Sequence, residues 1–320
     1  HQSLLKLKKK LILNTSVDNT VRRWSFQDMQ ILDNIATIYS SVTSMIITVD
    51  NTFVIIGCEN KTVQVKSLIT GTDIHDLVGH NSEITCLASS RDCERVYVAC
   101  ADAKLYLYDL KSRELIAILI EQESSINDLR ISSDNSFLFS SSGNSLYVLN
   151  LKKKKFVSRQ KSKEIEQNRL IKAVTMSKEG DMAVTGDESG VVNLWNLKNG
   201  EFIETLIEPN ENQRLGVCKL LLSNSNLFSV VAFTDNTVSV FDNEMGDIAA
   251  EFSEHQSQVK HLYILEDSKR ILTSDGFNQC KIWVAHTGQL LESITVACNL
   301  LALSPDMQYV VSGPGENILY

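Results

Sequence analysis

Cysteines are the most reactive side chains in the sequence, and three of the seven recur at an even spacing. Cys86, Cys93 and Cys100 lie seven residues apart, as the ligands of a metal site could. A structural zinc site, however, usually has Cys-x-x-Cys or paired His spacing, and the chain contains no Cys-x-x-Cys. We therefore interpret these cysteines as structural or free thiols. An odd number of cysteines, most of them in strand-like runs, favours a reducing compartment over a disulfide framework.

Two pairs of histidines and one glycine-containing turn are the remaining candidates for catalysis. His255 and His261 flank one apolar segment, and His75 and His80 flank one loop, but neither pair has carboxylates suited to general acid–base catalysis. Residues 186–190 resemble a phosphate-binding loop, yet they lack lysine and contain two carboxylates. The motifs of nucleotide-binding loops, serine hydrolases and zinc proteases are absent. The sequence predicts no enzyme, cofactor, metal site or small-molecule substrate.

Composition indicates a globular protein with a sizeable core. The 320 residues are 43% hydrophobic and 22% charged, with a formal net charge of −8, so nucleic acid is not the expected partner. The 14 glycines and 3 prolines exclude collagen-like and proline-rich classes. No apolar run approaches the ~18 residues of a membrane-spanning helix. We expect a cytoplasmic protein, with the nucleus as the alternative, and a chain cut from a longer one.

One segment departs from this acidic balance. Residues 152–172 contain nine cations and only two carboxylates, which favours an anionic partner such as an acidic protein surface, a phosphoinositide or RNA. The competing interpretation is a solvated edge. Phe156 is the one aromatic residue there, so base stacking has little support, and an acidic protein is favoured over RNA. The predicted basic patch consists of Lys152, Lys153, Lys154, Lys155, Arg159, Lys161 and Lys163.

A repeat of about 42 residues organises the elements that must position all of these side chains. Short strand-like segments end in anchor residues at positions 24, 66, 108, 149, 195, 241 and 283, which are 41 to 46 residues apart. Each unit contains four strand-like segments; in the third unit they are residues 84–89, 96–100, 104–109 and 114–120. Four short strands recurring with this period are typical of one propeller blade.

Several short motifs point to one family. They are Gly79-His80, Asp18 through Trp24, Tyr108-Asp109, Leu194-Trp195-Asn196 and Ser304-Pro305-Asp306. With them, the chain resembles the WD-repeat β-propeller family along essentially its whole length. The resemblance implies an all-β propeller of four-stranded antiparallel blades, seven or eight in number, with residues 1–320 forming one domain. The predicted blades are residues 1–38, 39–80, 81–122, 123–164, 165–209, 210–254, 255–294 and 295–320, the last incomplete.

In this family a His, a Ser or Thr, an Asp and a Trp form a hydrogen-bonded tetrad that fixes each blade. By position, Asp18 and Trp24 make the first blade the best candidate, whereas the seventh has Phe277 where the Asp is expected. The residues to which the resemblance assigns structural roles are His80, Asp18, Trp24, Asp102, Trp195, Asp235 and Trp283.

The resemblance implies a non-catalytic scaffold or sensor that binds other proteins through the loops entering each inner strand. Two alternatives stay open: the regulatory propeller of a nucleotide-binding NACHT or apoptosome-type switch protein, and the substrate receptor of a ubiquitin ligase. For the ubiquitin-ligase receptor, the family has an Arg two residues past the Trp-Asp position. Here Lys198 and Lys111 stand near that position, which weakens this alternative. The predicted partner-binding residues are Tyr39, Asn81, Glu83, Glu123, Arg169, Arg214 and Gln256.

Overall fold

The computed structural model of the chain contains β-strands and connecting turns. It describes residues 5–8, 11–15, 20–25, 30–122, 124–132, 134–143, 145–151, 155–161, 170–177, 180–197, 201–207, 216–265, 267–298, 300–303 and 310–313. Within these residues all elements are strands, and no helix is present. The all-β prediction is therefore confirmed.

Consecutive strands pair in antiparallel order into small sheets, each of which is one blade. The first four sheets are β1 (Leu5–Lys8), β2 (Leu11–Thr15), β3 (Thr20–Ser25), β4 (Ile31–Thr37); β5 (Val42–Ile47), β6 (Phe53–Cys58), β7 (Val63–Ser67), β8 (Asp73–Leu77); β9 (Ile84–Ser89), β10 (Arg95–Cys100), β11 (Lys104–Asp109), β12 (Leu115–Glu121); and β13 (Ile126–Ile131), β14 (Phe137–Ser142), β15 (Ser145–Asn150), β16 (Lys155–Lys161).

The later blades repeat this arrangement. They are β17 (Ile171–Met176), β18 (Met182–Asp187), β19 (Val192–Asn196), β20 (Glu201–Ile207); β21 (Val217–Leu222), β22 (Phe228–Phe233), β23 (Val238–Asp242), β24 (Ile248–Phe252); β25 (Val259–Ile264), β26 (Arg270–Asp275), β27 (Gln279–Val284), β28 (Leu290–Thr295); and the pair β29 (Leu300–Leu303), β30 (Val310–Gly313). The described residues thus form seven four-stranded blades and two strands of an eighth, a β-propeller as predicted.

The chain divides into two compact units, residues 1–131 with 299–320, and residues 132–298. In the first unit the inner strands β5, β9 and β13 are neighbours, and β29 lies beside β1. In the second unit β17, β21 and β25 are neighbours. The first and last inner strands of the described chain therefore lie side by side within the first unit.

Apolar packing between neighbouring blades forms the core of each unit. In the second unit one buried cluster joins Val230 and Val240 of one blade to Val259, Ile271 and Trp283 of the next. In the first unit a similar cluster joins the blade of β5–β8 to the blade of β9–β12. Because each blade buries its apolar face only against its neighbours, the units are stabilised by blade-to-blade contacts, as in other repeat proteins.

Close contact between blades requires a small residue near the end of the second strand. A methyl group added to Gly186 would lie 2.6 Å from Cγ1 of Val217 on the next blade. Gly57 has the same relationship to Ile84, at 2.7 Å. These distances are shorter than carbon contacts allow. Glycine is therefore needed at both positions because of the neighbouring blade.

The turns between first and second strands share one hydrogen-bond pattern. In five blades a hydroxyl at the end of the first strand accepts the backbone N–H five residues later; the pairs are Thr48 with Phe53, Ser90 with Arg95, Ser132 with Phe137, Ser177 with Met182 and Ser223 with Phe228, at 2.9–3.1 Å. Such local side-chain bonds favour turns over continued strand. The repeat is therefore present in the turns as well as in the strands.

Candidate partner-binding face

One end of the blades combines two kinds of segment, as the described residues of both units show. In the first unit the N–H of Glu59, between β6 and β7, donates to the carbonyl oxygen of Ser41, before β5, at 3.0 Å. The N–H of Ala101 donates in the same way to Glu83, also at 3.0 Å. The loop before a first strand and the turn between second and third strands are therefore tied together. We call these two kinds of segment the loop face.

The second unit repeats these ties. The N–H of Glu188 donates to the carbonyl oxygen of Leu170 at 3.0 Å, and that of Thr234 donates to Gly216 at 2.9 Å. In the last four-stranded blade a side chain takes the place of the carbonyl, because Gly276 N–H donates to Ser257 Oγ at 2.7 Å. The loop face is thus built in the same way in both units.

A complete buried tetrad supports the loop face in the blade β25–β28. Trp283 Nε1 donates to Thr273 Oγ1 at 2.7 Å, Thr273 Oγ1 lies 2.6 Å from His255 Nε2, and His255 Nδ1 lies 3.3 Å from Asp275 Oδ2. Asp275 Oδ1 also accepts the N–H groups of Phe277 and Gln279. The chain of bonds therefore connects a buried indole to the surface turn.

The protonation of His255 follows from this network. Burial lowers the pKa of His255, and the hydrogen bond and charge of Asp275 oppose that shift without cancelling it. A neutral ring that donates from Nδ1 to the Asp275 carboxylate leaves Nε2 free to accept the Thr273 hydroxyl proton. That hydroxyl oxygen then accepts the Trp283 N–H. Every polar group of the tetrad is satisfied with a neutral histidine.

This tetrad corrects the expectation from residue position, in which Phe277 stands where the family has the Asp. Asp275, two residues earlier and at the end of β26, makes the contact with His255. Phe277 lies in the turn after it with 62% of its surface exposed. The phenyl ring is therefore part of the loop face and not of the tetrad.

Two other blades contain parts of the same arrangement. Trp195 Nε1 donates to Thr185 Oγ1 at 2.9 Å, and Asp187 accepts the N–H of Ser189 at 2.8 Å. In the third blade the His80 ring packs edge-on against Tyr106, with the ring centroids 5.0 Å apart. Burial also lowers the pKa of His80. In the third blade, packing against an aromatic ring therefore holds the histidine that hydrogen bonds hold in the tetrad of His255.

The remaining predicted structural residues lie in different environments. Trp24 is buried in β3. Asp102 is half-buried and accepts the N–H of Lys104 at 3.3 Å and the hydroxyl of Tyr106 at 3.4 Å. Asp235 is exposed and accepts the N–H of Thr237 at 3.0 Å. Asp18 lies outside the described residues, so the tetrad expected in the first blade stays a prediction.

Four of the seven predicted partner-binding residues are exposed on the loop face. They are Tyr39, Asn81, Glu83 and Gln256. The other three, Glu123, Arg169 and Arg214, lie outside the described residues. Sequence reasoning missed three exposed apolar side chains of the same face, Val78, Leu170 and Phe277. For Phe277 the available signal was an apolar residue between Gly276 and Asn278, two residue types that favour turns.

Three of the seven residues of the predicted basic patch lie on the outer edge of the fourth blade. Lys155, Arg159 and Lys161 belong to β16, the last strand of its sheet. Lys152, Lys153, Lys154 and Lys163 lie outside the described residues. Beyond the patch, Lys172 Nζ lies 3.8 Å from a carboxylate oxygen of Glu188.

The cysteines lie in strands and in the connections between them, in the part of the chain that the structure describes. All seven cysteines are free thiols. Cys86 and Cys100 belong to neighbouring strands and Cys93 to the turn between them, and burial raises the pKa of both Cys86 and Cys100 to about 12. No three His, Cys, Asp or Glu side chains of the described residues are grouped as metal ligands. In the same residues no helix could span a membrane.

Comparison with known proteins agrees with this architecture. A family model described as "Nucleolar protein 10-like, N-terminal domain" matches residues 127–313, and the model "WD domain, G-beta repeat" matches residues 71–109. Autophagy-related protein 16 of Arabidopsis thaliana is 22% identical over 265 residues, which cover 80% of this chain and 50% of that protein. The chain therefore spans about half the length of this curated relative.

A solved structure shows the same fold over the whole chain. The computationally designed Ika8 protein superposes with a TM-score of 0.80 at 22% identity, covering 100% of this chain and 96% of that one. Propellers with WD repeats generally mediate interactions between proteins, and their families are generally non-catalytic. Since the first family model covers more than half of the sequence, the chain belongs to the Nucleolar protein 10-like, N-terminal domain family and is a WD-repeat β-propeller.

Proposed function

We propose that the chain is a non-catalytic interaction platform whose protein partners bind its loop face. The observation that carries this proposal is the presentation of exposed aromatic side chains by hydrogen-bonded turns. Tyr39 is 96% exposed and Phe277 is 62% exposed. Aromatic side chains are enriched among the residues that dominate binding energy at interfaces. An exposed aromatic ring on a fixed turn is suited to that role.

The segments around Tyr39 are fixed on the side that follows it in the chain. Ser40 Oγ accepts the N–H of Asn60 at 3.0 Å, and the Ser41 carbonyl accepts the N–H of Glu59. Tyr39 therefore has little backbone freedom to lose when a partner binds, which reduces the entropic cost of association. The same argument holds for Phe277, whose N–H donates to the buried Asp275 at 2.9 Å.

Matched substitutions test the proposal in each unit. Tyr39→Ala is compared with Ile69→Ala, and Phe277→Ala with Met245→Ala; Ile69 and Met245 are strongly exposed in turns between third and fourth strands, at the other end of their blades. Quantitative co-purification from cells should lose partners with the loop-face variants and keep them with the controls. Partners lost equally in both classes would contradict the proposal.

The alternatives from the sequence are less well supported. Neither the matched family nor the relative has a name that refers to a nucleotide switch or a ubiquitin ligase.

The family name does favour the nucleus over the cytoplasm as the site of action. Imaging of the fluorescently tagged full-length protein tests this, and a purely cytoplasmic signal would overturn the nuclear assignment.

A second proposed contact is the basic patch on and before β16, directed at an acidic protein surface. Support comes from the concentration of cations on an outer strand of a protein with net charge −8. Such contacts weaken as salt screens them. Changing Lys152, Lys153, Lys154 and Lys155 to Gln should lower partner affinity and flatten its dependence on salt concentration. An unaltered affinity and salt slope would reject the contact.

A further inference from the structure

Among the outer strands that the structure describes, one differs from the others in its charge. Outer strands of a propeller are sheet edges, and charged side chains protect such edges from pairing with other chains. Six of the seven described outer strands follow this rule: β4 contains Asp33, β8 Asp73 and Asp76, β16 Arg159, β20 Glu204, β24 Glu251 and β28 Glu292. The seventh, β12, reads Leu-Ile-Ala-Ile-Leu-Ile-Glu and has no charge before its last residue.

The backbone of β12 is open on one side. Its sheet has the order β12-β11-β10-β9, and no other strand of the described residues pairs with the outer side of β12. Ala117 lies opposite Leu107 and Ile118 opposite Tyr106, with a bulge on either side of this pair. Outer strands of other blades have similar bulges, so the missing charge is what distinguishes β12.

The side chains of β12 are exposed as well as apolar. Leu115, Ile116 and Ile118 are each exposed, and Ile118 has 51% of its surface accessible. An uninterrupted apolar edge of this kind is a ready template for another strand. Contiguous exposed apolar surface also marks interaction sites on folded proteins.

We propose that β12 binds an extended segment of a partner protein, which adds a fifth strand to the third blade. Strand addition uses main-chain hydrogen bonds for affinity and alternate side chains for specificity. The apolar run predicts an apolar middle in the partner segment. Glu114 is exposed immediately before the strand and Glu121 ends it, which predicts Lys or Arg at both ends of the segment. This site is separate from the loop face.

The charges also argue against a second copy of this chain as the partner. If two β12 strands paired antiparallel with Ala117 opposite Ile118, Glu114 would lie opposite Glu121 at both ends. Like charges directly opposite each other destabilise a strand pair, and each copy has a net charge of −8.

A peptide titration with the full 320-residue chain tests the proposal. The probe is a labelled cyclic hairpin whose free strand reads Lys-Val-Thr-Val-Thr-Val-Lys, followed by fluorescence anisotropy. Ile118→Lys should weaken binding about tenfold or more, since it places a cation in the apolar edge. The matched control is Leu291→Lys, at a residue that is also 51% exposed but on β28, and it should stay within about twofold of wild type.

Two further binding experiments distinguish strand addition from non-specific apolar binding. N-methylation of the free strand removes its N–H donors and should abolish binding, because the main-chain bonds are lost. Glu114→Lys, outside the strand, should weaken the Lys-ended hairpin and strengthen a Glu-ended one. Equal loss in Ile118→Lys and Leu291→Lys, or undiminished binding of the methylated hairpin, would overturn the proposal. A dimer in sedimentation that Ile118→Lys abolishes would also overturn it, by assigning the edge to a second copy.

Discussion

Thr273 Oγ1 accepts the indole N–H of Trp283 at 2.7 Å, across neighbouring strands and ten residues apart in the sequence. Thr185 and Trp195 make the same bond at 2.9 Å with the same separation. In both blades an aspartate two residues after the threonine orders the following turn. In the blade of Trp283, His255 lies between the threonine and the aspartate, so a buried bond of the sheet is connected to a surface turn of the loop face.

Removing the Thr273 hydroxyl tests this connection. Thr273→Val keeps the shape of the side chain but leaves the buried Trp283 N–H without its acceptor. Leaving such a group unsatisfied costs about 1–3 kcal/mol, so the free energy of unfolding in urea should fall by that amount. Thr185→Val should behave alike in its own blade. Unchanged unfolding midpoints in both variants would contradict the role of the tetrad.

Stability should fall as the solution becomes mildly acidic. Burial lowers the pKa of His255 below the 6.5 of a free imidazole, so below that value the unfolded chain binds a proton that the folded chain does not. The free energy of unfolding therefore decreases as the pH falls through 6.5. His75 and His80 are shifted in the same direction. Thermal unfolding of His255→Gln should depend less steeply on pH between 7.5 and 5.5; a slope as steep as wild type would contradict this.

Adding one methyl group should separate two blades. Gly186→Ala places Cβ within 2.8 Å of three side-chain atoms of Val217, and overpacking of this kind costs about 1–3 kcal/mol. The double variant with Val217→Ala should recover part of that loss, since it removes Cγ1 and Cγ2 of Val217, two of the three atoms in the way. Urea unfolding measures both. A double variant no more stable than Gly186→Ala alone would show that the contact does not set the cost.

A partly buried arginine should matter more than an exposed one. Arg23 Nε donates to Asp33 Oδ1 at 2.9 Å, and its Nη1 donates to the Leu68 carbonyl of the next blade at 2.6 Å. Arg23→Ala should cost about 1–3 kcal/mol because it leaves these acceptors unpaired. Arg270→Ala breaks an exposed pair with Asp267 and should cost under about 1 kcal/mol. Equal losses of unfolding free energy in Arg23→Ala and Arg270→Ala would contradict the claim that burial makes the Arg23 contacts stronger.

The period of the sequence was sufficient to predict the fold, because anchors such as Trp195 and Trp283 recur in phase. It predicted the third blade to within a residue: its fourth strand, expected over residues 114–120, is Leu115–Glu121. The blade boundaries and the single domain over residues 1–320 stay predictions.

The tetrad shows where residue counting fails. Counting six residues back from Trp283 leads to Phe277, whereas the carboxylate that binds His255 comes from Asp275, at the end of β26. An aspartate can accept the N–H groups of a turn from the position just before it or from within it, and the distance in sequence from the Trp does not distinguish the two positions. The pattern Thr-x-Asp with Trp ten residues after the Thr would have identified both Asp187 and Asp275.

Hydrogen–deuterium exchange of the chain with and without a captured protein partner tests most directly whether recognition belongs to the loop face. We predict that binding slows exchange in residues 38–41 and 78–83 or in 253–258 and 276–278, all of which belong to the loop face. Exchange in residues 68–72 and 243–247, at the other end of the blades, should stay unchanged. Protection confined to those opposite turns would contradict the account.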